Sequence, residues 1–466
     1  MIENMDLLFN PSSVAIIGAS KYEKSGGGIL LKSILEGNYQ GKVFPINKRE
    51  SEIKGLKVYP SILDVPHEVD VALVAVPASG SIEVLNQCKE KGVRFAIVHT
   101  SGFGELGDGG KELEKQLVKI ARSGGPRIIG PNCMGVFSPG SRFNTAIPFV
   151  TPEFESGSIS FVGQSGWATE NTILHGHERG LHFNKVVSIG NQSDIGIEDL
   201  LEYFAFDHDT KVIGCYVEGL RRPKEFVKLA AEISRLKPVV VWKGGKSNQG
   251  VAAVRSHTGS LAGNNMVFEA AMKSAGVISV RNIDELTDTL VAMSGPLLPA
   301  GNRVGMLSSG GAASVACADA CETAGLELPR LSVEAQQEMK KILLPVAPAL
   351  PDTANPVDVG WIQTPDQIPV FYECLNILMD HVDIGLFMTF MPINEELGNA
   401  LVKVRDKHQK PIFVFPGHPT RERSGMQLLT RMGIPAYTLP DKAVASIAAL
   451  VKYSGKKNRA TEAWNH

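Results

Sequence analysis

Short apolar runs alternate with longer amphipathic stretches from one end of the chain to the other. In the first third the runs are Val14–Gly18, Val43–Asn47, Val71–Pro77, Phe95–Thr100 and Arg127–Gly130. Such runs are apolar at nearly every position and rich in β-branched residues, as strands covered on both faces must be. The stretches between them are long enough for crossover helices. The pattern predicts an α/β protein: a Rossmann-like domain, then two flavodoxin-like domains with doubly wound parallel sheets.

Glycine and proline punctuate the pattern. The segment GPNCMGVFSPGSR breaks it near residue 140, and GPLLPAGN (295–302) reads as a linker. The expected domains are therefore 1–140, 150–295 and 300–455. The polar end, SGKKNRATEAWNH, is expected to be loose. The second and third domains read as two copies of one design. GSISFVGQSGWATENTI opens one and NRVGMLSSGGAASVACAD the other; KVIGCYVEGL with KPVVVWKGG parallels VDIGLFMTFMP with KPIFVFPG. The copies differ where Glu218 aligns with Thr389, and where SNQGVAAVRSHTGSLAG has no counterpart. The second domain is thus expected to hold the reactive groups.

Composition adds limits. The chain has 466 residues, 43% hydrophobic and 21% charged, as in ordinary globular proteins. A net charge of −2 gives no bulk attraction to nucleic acid or anionic lipid, so anions must be held by local geometry. None of the six cysteines forms a CxxC pair, so no metal site is expected from them. MIENMDLLFN lacks the charged and apolar regions of a signal peptide, and no apolar run is long enough to span a bilayer. A cytoplasmic protein with no membrane or nucleic-acid partner is expected.

In the first domain VAIIGAS leads through KYEKSGGG into ILLKSILEG. Strand, glycine-rich turn and helix N-terminus make an anion site, because free N–H groups and the helix dipole point at it. The spacing is not G-x-G-x-x-G, and the second strand ends in PINKR where an NAD site would place an acid. Asn47, Lys48 and Arg49 suit a phosphorylated ribose, leaving NADP or CoA. The glycines also suit a plain tight turn. VAVPAS, HTSGFGE and GPNCMG add further loops at strand ends, where α/β sheets bind ligands.

In the second domain His257 lies in RSHTGSLAG, among small residues expected to form a mobile loop. Neutral imidazole accepts and releases a phosphoryl group near pH 7 if a partner aims its reactive nitrogen. Glu218, at a strand end, is the candidate orienter. Gln164, Ser165 and Gly166 form a turn whose Ser165 and Gly166 N–H groups could hold phosphate oxygens. A solvated strand end and a plain helix cap are the simpler readings of these positions.

IIGAS, VFPIN, VAVPA, TSGFGE, GPNCMG, GQSG, YVEG and SHTGS together resemble the ADP-forming acyl-CoA synthetases, the superfamily of succinyl-CoA synthetase. The resemblance covers essentially the whole chain. It implies that Gly18, Ala19, Ser20, Gly26, Gly27 and Gly28 contact CoA, as do Asn47, Lys48, Val76 and Pro77. The Ser101, Gly102 and Phe103 turn joins them, with Asn132 near the thiol end. His257 is the implied phosphohistidine, with Glu218, Gln164, Ser165 and Gly166 around it. Acyl-CoA, phosphate and a carboxylic acid are the implied reactants. Nothing after residue 300 resembles an ATP-grasp domain, so ADP or ATP and Mg²⁺ are expected on a separate ATP-grasp β subunit in a hetero-oligomer. Trp167 and HGHERG (175–180) depart from the family pattern. A CoA-responsive regulatory protein and an NADP-dependent oxidoreductase are the alternatives; the identity of the acid is not readable.

Overall fold

Three mainly parallel sheets are wound in one order. The computed structural model describes residues 2–146, 154–258, 264–347, 353–360 and 364–462; of 255–258 and 458–462 only the backbone is described. The first sheet runs Lys42–Ile46, Ser13–Ile17, Val71–Val74, Phe95–Val98, Arg127–Ile129, all parallel. Its three central strands are buried at every position, as the apolar runs require.

The second sheet is seven-stranded. Its parallel part runs Phe183–Ser188, Ile159–Gly163, Val212–Val217, Val239–Lys243, Ile278–Val280. Beyond Phe183–Ser188 the antiparallel strands Gly135–Ser138 and Phe143–Asn144 complete one edge. The third sheet runs Val357–Asp358, Val304–Ser308, Ile384–Thr389, Ile412–Pro416, all parallel. In each sheet the second strand lies on one side of the first and the third on the other. The switch point where ligands bind α/β sheets therefore falls between the first and third strands, at their carboxyl ends.

Two compact units divide the chain: Met1–Leu174 with His182–Ile283, and His175–Leu181 with Asp284–His466. In the first unit one apolar cluster extends from Val14 and Leu73 of the first sheet to Val162 and Val217 of the second. Phe9 stacks on Tyr203 at 5.2 Å within it. The chain changes sheets before residue 140, because Gly135–Ser138 already pairs with Phe183–Ser188. In the second unit the third sheet has its own core, built on residues such as Leu307, Phe387 and Val414.

The chain end differs from expectation. The Pro440–Glu462 helix packs on Gly311–Ala324 and continues through most of the polar tail. Tyr453 is buried and the Ser454 hydroxyl donates to the Pro299 carbonyl at 2.7 Å. A helix nucleated by such packing extends at one hydrogen bond per added residue, and Lys, Arg, Ala and Glu favour the extension. Among the described residues no helix is long and apolar enough to cross a membrane.

Candidate functional site

At the end of the first strand the chain turns at Gly18, whose φ of +90° only glycine adopts without strain. The N–H groups of Gly18 and Ala19 donate to the Ile46 carbonyl at 3.0 and 3.2 Å, so they are engaged within the sheet. The free donors lie further on, at the start of the Gly26–Glu36 helix, whose first N–H groups lack intrahelical acceptors. Ser25 caps it by accepting from Gly28 N–H at 3.2 Å, and the Ser20 hydroxyl accepts from Tyr22 N–H at 3.0 Å. A Cβ on Gly27 would lie 1.9 Å from the Gly18 carbonyl oxygen, and one on Gly28 2.1 Å from that of Tyr22. Gly26 is open, its nearest neighbour at 3.8 Å.

A cleft of about 330 Å³ beside this turn is lined by Gly18, Asn47, Lys48, Arg49, Val76 and Glu83, among others. Asn47 sets the loop: its Nδ2 donates to the Ala19 carbonyl at 2.7 Å and its Oδ1 accepts from Arg49 N–H at 2.8 Å. Lys48 is exposed, with Glu83 at 3.8 Å. Pro77 precedes the Ala78–Lys91 helix. Ser101 is exposed, whereas Phe103 is wholly buried in the core, which leaves only its backbone to any ligand.

Asn132 and the Ser101–Phe103 turn meet a loop that sequence reasoning missed. Asn132, at φ +56°, donates its N–H to the Thr100 carbonyl at 3.0 Å, and its Nδ2 lies 3.3 Å from Asn191 Oδ1. Asn191 in turn donates to Glu105 at 2.7 Å and to Glu114 at 2.6 Å. Burial opposes ionisation of Glu105. Hydrogen bonds from Asn191 and the Gly102 and Phe103 N–H groups outweigh it and hold the carboxyl below its ordinary pKa. The signal was available: SIGNQSD is a Gly-Asn turn directly after an apolar run.

At the switch point of the second sheet, Gln164 follows the first strand and Glu218 the third. The Gln164 Oε1 accepts from the N–H groups of Glu218 and Gly219, the latter at 3.0 Å, and its Nε2 donates to the Gly219 carbonyl at 2.6 Å. Glu218 is 5% exposed. One of its oxygens accepts from the Tyr216 hydroxyl at 3.1 Å; the other is buried and has no partner among the described residues. Burial and the Glu218 charge push the Tyr216 pKa up. Lys243, also buried, donates to the carbonyls of Glu218, at 2.8 Å, and Gly244. Burial lowers the Lys243 pKa against the pull of Glu218. This lysine too was legible, as the one charge ending the apolar run VVVWK.

Ser165 caps the Gly166–Glu178 helix, its hydroxyl accepting from Ala168 N–H at 3.3 Å. The capping reading of this turn therefore holds for the Ser165 side chain, which takes the Ala168 N–H and leaves the Gly166 N–H at the helix start without an intrahelical acceptor. A Cβ on Gly166 would lie 2.6 Å from Met134 Sδ. The structure thus brings Gln164, Ser165, Gly166 and Glu218 to one sheet edge.

His257 is not in a loop: it lies in the last turn of the Asn248–Thr258 helix. Ser256 lies within this helix, and the glycines expected to loosen the backbone begin only at Gly259; 259–263 lie outside the described residues. The helix packs against the Gly104–Leu106 turn that carries Glu105. The His257 ring, and hence its pairing with Glu218, is outside the described side chains. Among the described residues no group of three or more His, Cys, Asp or Glu could hold a metal ion.

The third sheet has a similar turn, Ser308 to Gly311, at the start of the Gly311–Ala324 helix. Thr389 ends its third strand, and its hydroxyl accepts from Met391 N–H at 2.9 Å; no carboxylate corresponds to Glu218.

Comparison with known proteins gives consistent assignments. Residues 12–139 match the CoA binding domain family and residues 156–293 the succinyl-CoA ligase like flavodoxin domain family. The α subunit of acetate–CoA ligase (ADP-forming) II from Pyrococcus furiosus is 35% identical over 458 residues, covering 96% of this chain and 97% of that one. An acetate–CoA ligase (ADP-forming) from Methanocaldococcus jannaschii is 36% identical, covering 95% of this chain but 62% of its own length. Among solved structures, the dinucleotide-forming acetyl-coenzyme A synthetase 1 of Ca. Korarchaeum cryptofilum, in complex with phosphate and ADP, aligns with a TM-score of 0.87 at 30% identity over 99% of both chains.

Proposed function

We propose, for a chain that belongs to the ADP-forming acetate–CoA ligase family, the CoA-binding and phosphohistidine-carrying part of the reaction acyl-CoA + ADP + phosphate ⇌ carboxylic acid + CoA + ATP. Phosphate oxygen attacks the thioester carbonyl and the CoA thiolate leaves, taking up a proton, to give acyl phosphate. A nitrogen of His257 then attacks phosphorus and the carboxylate departs. Phospho-His257 finally hands the phosphoryl group to ADP.

The observation that carries this reading is the state of Glu218: its backbone N–H is taken by Gln164, one oxygen of its buried carboxylate accepts from Tyr216, and the other has no partner among the described residues. A carboxylate so placed can accept the N–H of a nearby imidazole and balance the positive charge that develops on the ring as phosphorus is attacked. The Ser165–Gly166 helix start offers N–H groups to the phosphoryl oxygens. For CoA, the glycines at 27 and 28 let the helix start pack directly on the Gly18 and Tyr22 backbone, Gly26 stays open, and Lys48 and Arg49 suit a phosphorylated ribose. Gly18, Ala19 and Asn47 would shape the loop, and Ser20, Gly26, Val76, Pro77, Ser101, Gly102 and Asn132 would line the path of the cofactor arm. Phe103 would act through its backbone.

The nucleotide and Mg²⁺ are assigned to a separate ATP-grasp β subunit. The name of the Pyrococcus relative supports a partner, and the Methanocaldococcus relative carries more than a third of its length beyond the matched region. A three-domain division, with the first boundary before Gly135, where the chain enters the second sheet, and the second near 295–300, and a small carboxylic acid as substrate complete the proposal. The regulatory and NADP-dependent alternatives give no use to the Glu218 arrangement.

The test mixes this chain with the ATP-grasp subunit, Mg²⁺ and γ-labelled ATP and follows an acid-labile, base-stable adduct. Labelling of the wild type and none of His257→Ala is expected; equal labelling of both overturns the assignment. CoA, and not NADP(H), should raise the unfolding midpoint of the chain alone.

A further inference from the structure

A groove of about 830 Å³ in the first unit lies outside the residues assigned to the reaction. One wall is the Asp108–Arg122 helix, which presents Lys111, Lys115, Lys119 and Arg122. Steps of four, four and three residues put these cations on one helical face, successive lysines about 6 Å apart along the axis. Arg221 and Ser193 also line it.

The charge of the lining is one-sided, with five cations and one acid, Glu114. That acid is occupied: Asn191 and the Gly104 N–H donate to it at 2.6 and 3.2 Å, and Arg221 lies at 3.4 Å. Lys111 and Lys115 have helix neighbours at hand, Asp108 at 3.0 Å and Glu112 at 3.2 Å. Among the described residues Lys119 and Arg122 form no ion pair. Ser193, 8% exposed, has a buried hydroxyl with no hydrogen-bond partner among the described residues. A fold gains nothing from repeating like charges at i and i+4 along one face, which costs a few tenths of a kcal/mol per pair. That cost is offset when an anion lies in the groove.

We propose that this groove is a binding site for a linear polyphosphate anion, separate from the CoA cleft. A row of cations spaced along one helix matches successive phosphoryl groups. A single compact anion would leave most of the row unused. The guanidinium groups of Arg122 and Arg221 can each take two oxygens of one phosphoryl group.

The test is calorimetric titration of the full chain with inorganic tripolyphosphate, in the presence of saturating CoA. Binding is expected to persist with CoA, to weaken as salt rises, and to fall at least tenfold in Lys119→Ala/Arg122→Ala. Both side chains are exposed, and an unchanged unfolding midpoint checks the fold. Gln116→Ala, on the same helix but outside the groove, should bind as wild type. Displacement by CoA, or equal binding by the double variant, overturns the proposal. So does a wild type that binds no tripolyphosphate while the double variant loses only its association with the ATP-grasp subunit, since the groove is then a protein contact.

Discussion

The side-chain amide of Gln164 clamps the peptide of Gly219, accepting from its N–H at 3.0 Å and donating to its carbonyl at 2.6 Å. The two residues follow neighbouring strands at the switch point of the second sheet. The clamp fixes the direction in which Glu218 leaves its strand.

Gln164→Ala should therefore do two things. It strands buried donors and acceptors at 218–219, at about 1–3 kcal/mol of stability. It also frees Glu218 to turn, so phosphohistidine formation should slow by roughly 10²-fold, the scale of a displaced catalytic group. CoA affinity, measured by titration, should stay within a factor of two or so of wild type.

Glu218→Gln keeps the volume and removes the charge. Phosphoryl transfer through His257 should fall by about 10² to 10⁴, the usual worth of a positioned acid–base partner. Stability should hold or rise, because a buried carboxylate with an unpartnered oxygen is a cost to the fold. A variant that is strongly destabilised would point to a structural role instead. Tyr216→Phe removes one hydrogen bond to Glu218. About a tenfold loss of rate is expected of it, with single-turnover labelling as the measurement for both variants.

Gly27→Ala forces a methyl group within 1.9 Å of the Gly18 carbonyl oxygen. Backbone must move at the turn proposed to receive CoA, so CoA affinity should drop by tenfold or more. Gly455→Ala, in open space, should leave it unchanged.

His99 supplies a pH signature. Its ring is fully buried, and burial lowers its pKa to about 4 despite a hydrogen bond with the Cys133 backbone. An unfolded chain protonates the same ring near 6.5. The neutral ring therefore favours the folded state fully above pH 6.5. That contribution is lost as pH falls from 6.5 toward 4, at up to about 1.4 kcal/mol per unit and about 3 kcal/mol in total. Denaturant titrations from pH 7 to 4 should show this slope, and His99→Asn should show less of it.

Much of this site was legible because its chemistry is local. GQSG and YVEG each sit at a strand end, and a doubly wound parallel sheet gathers such ends along one edge. Glycine positions 27 and 28 were also readable, since their reason is the tight path between one strand and the next helix. Other features depend on contacts far apart in sequence. Asn191 matters because it reaches Glu105 and Glu114, some eighty residues earlier, and no periodicity encodes that distance. The engagement of the Gly18 and Ala19 N–H groups by Ile46 was likewise hidden, because a glycine-rich turn reads the same whether its donors face a ligand or a strand. His257 was placed one element off, since a helix can extend into RSHT before the glycines end it.

The early change of sheet at Gly135 bears on how such proteins can be cut and recombined. A CoA-binding fragment ending at residue 140 would carry Gly135–Ser138 away as an orphan strand, and the remainder would expose the Phe183–Ser188 edge, a template for aggregation. A module boundary that preserves both pieces has to fall between Ile129 and Gly135, inside the very turn that holds Asn132. Exchange of the N-terminal module between relatives would therefore cut beside Asn132, the residue proposed to lie at the thiol end of CoA, which would tie the choice of cofactor domain to the chemistry it serves.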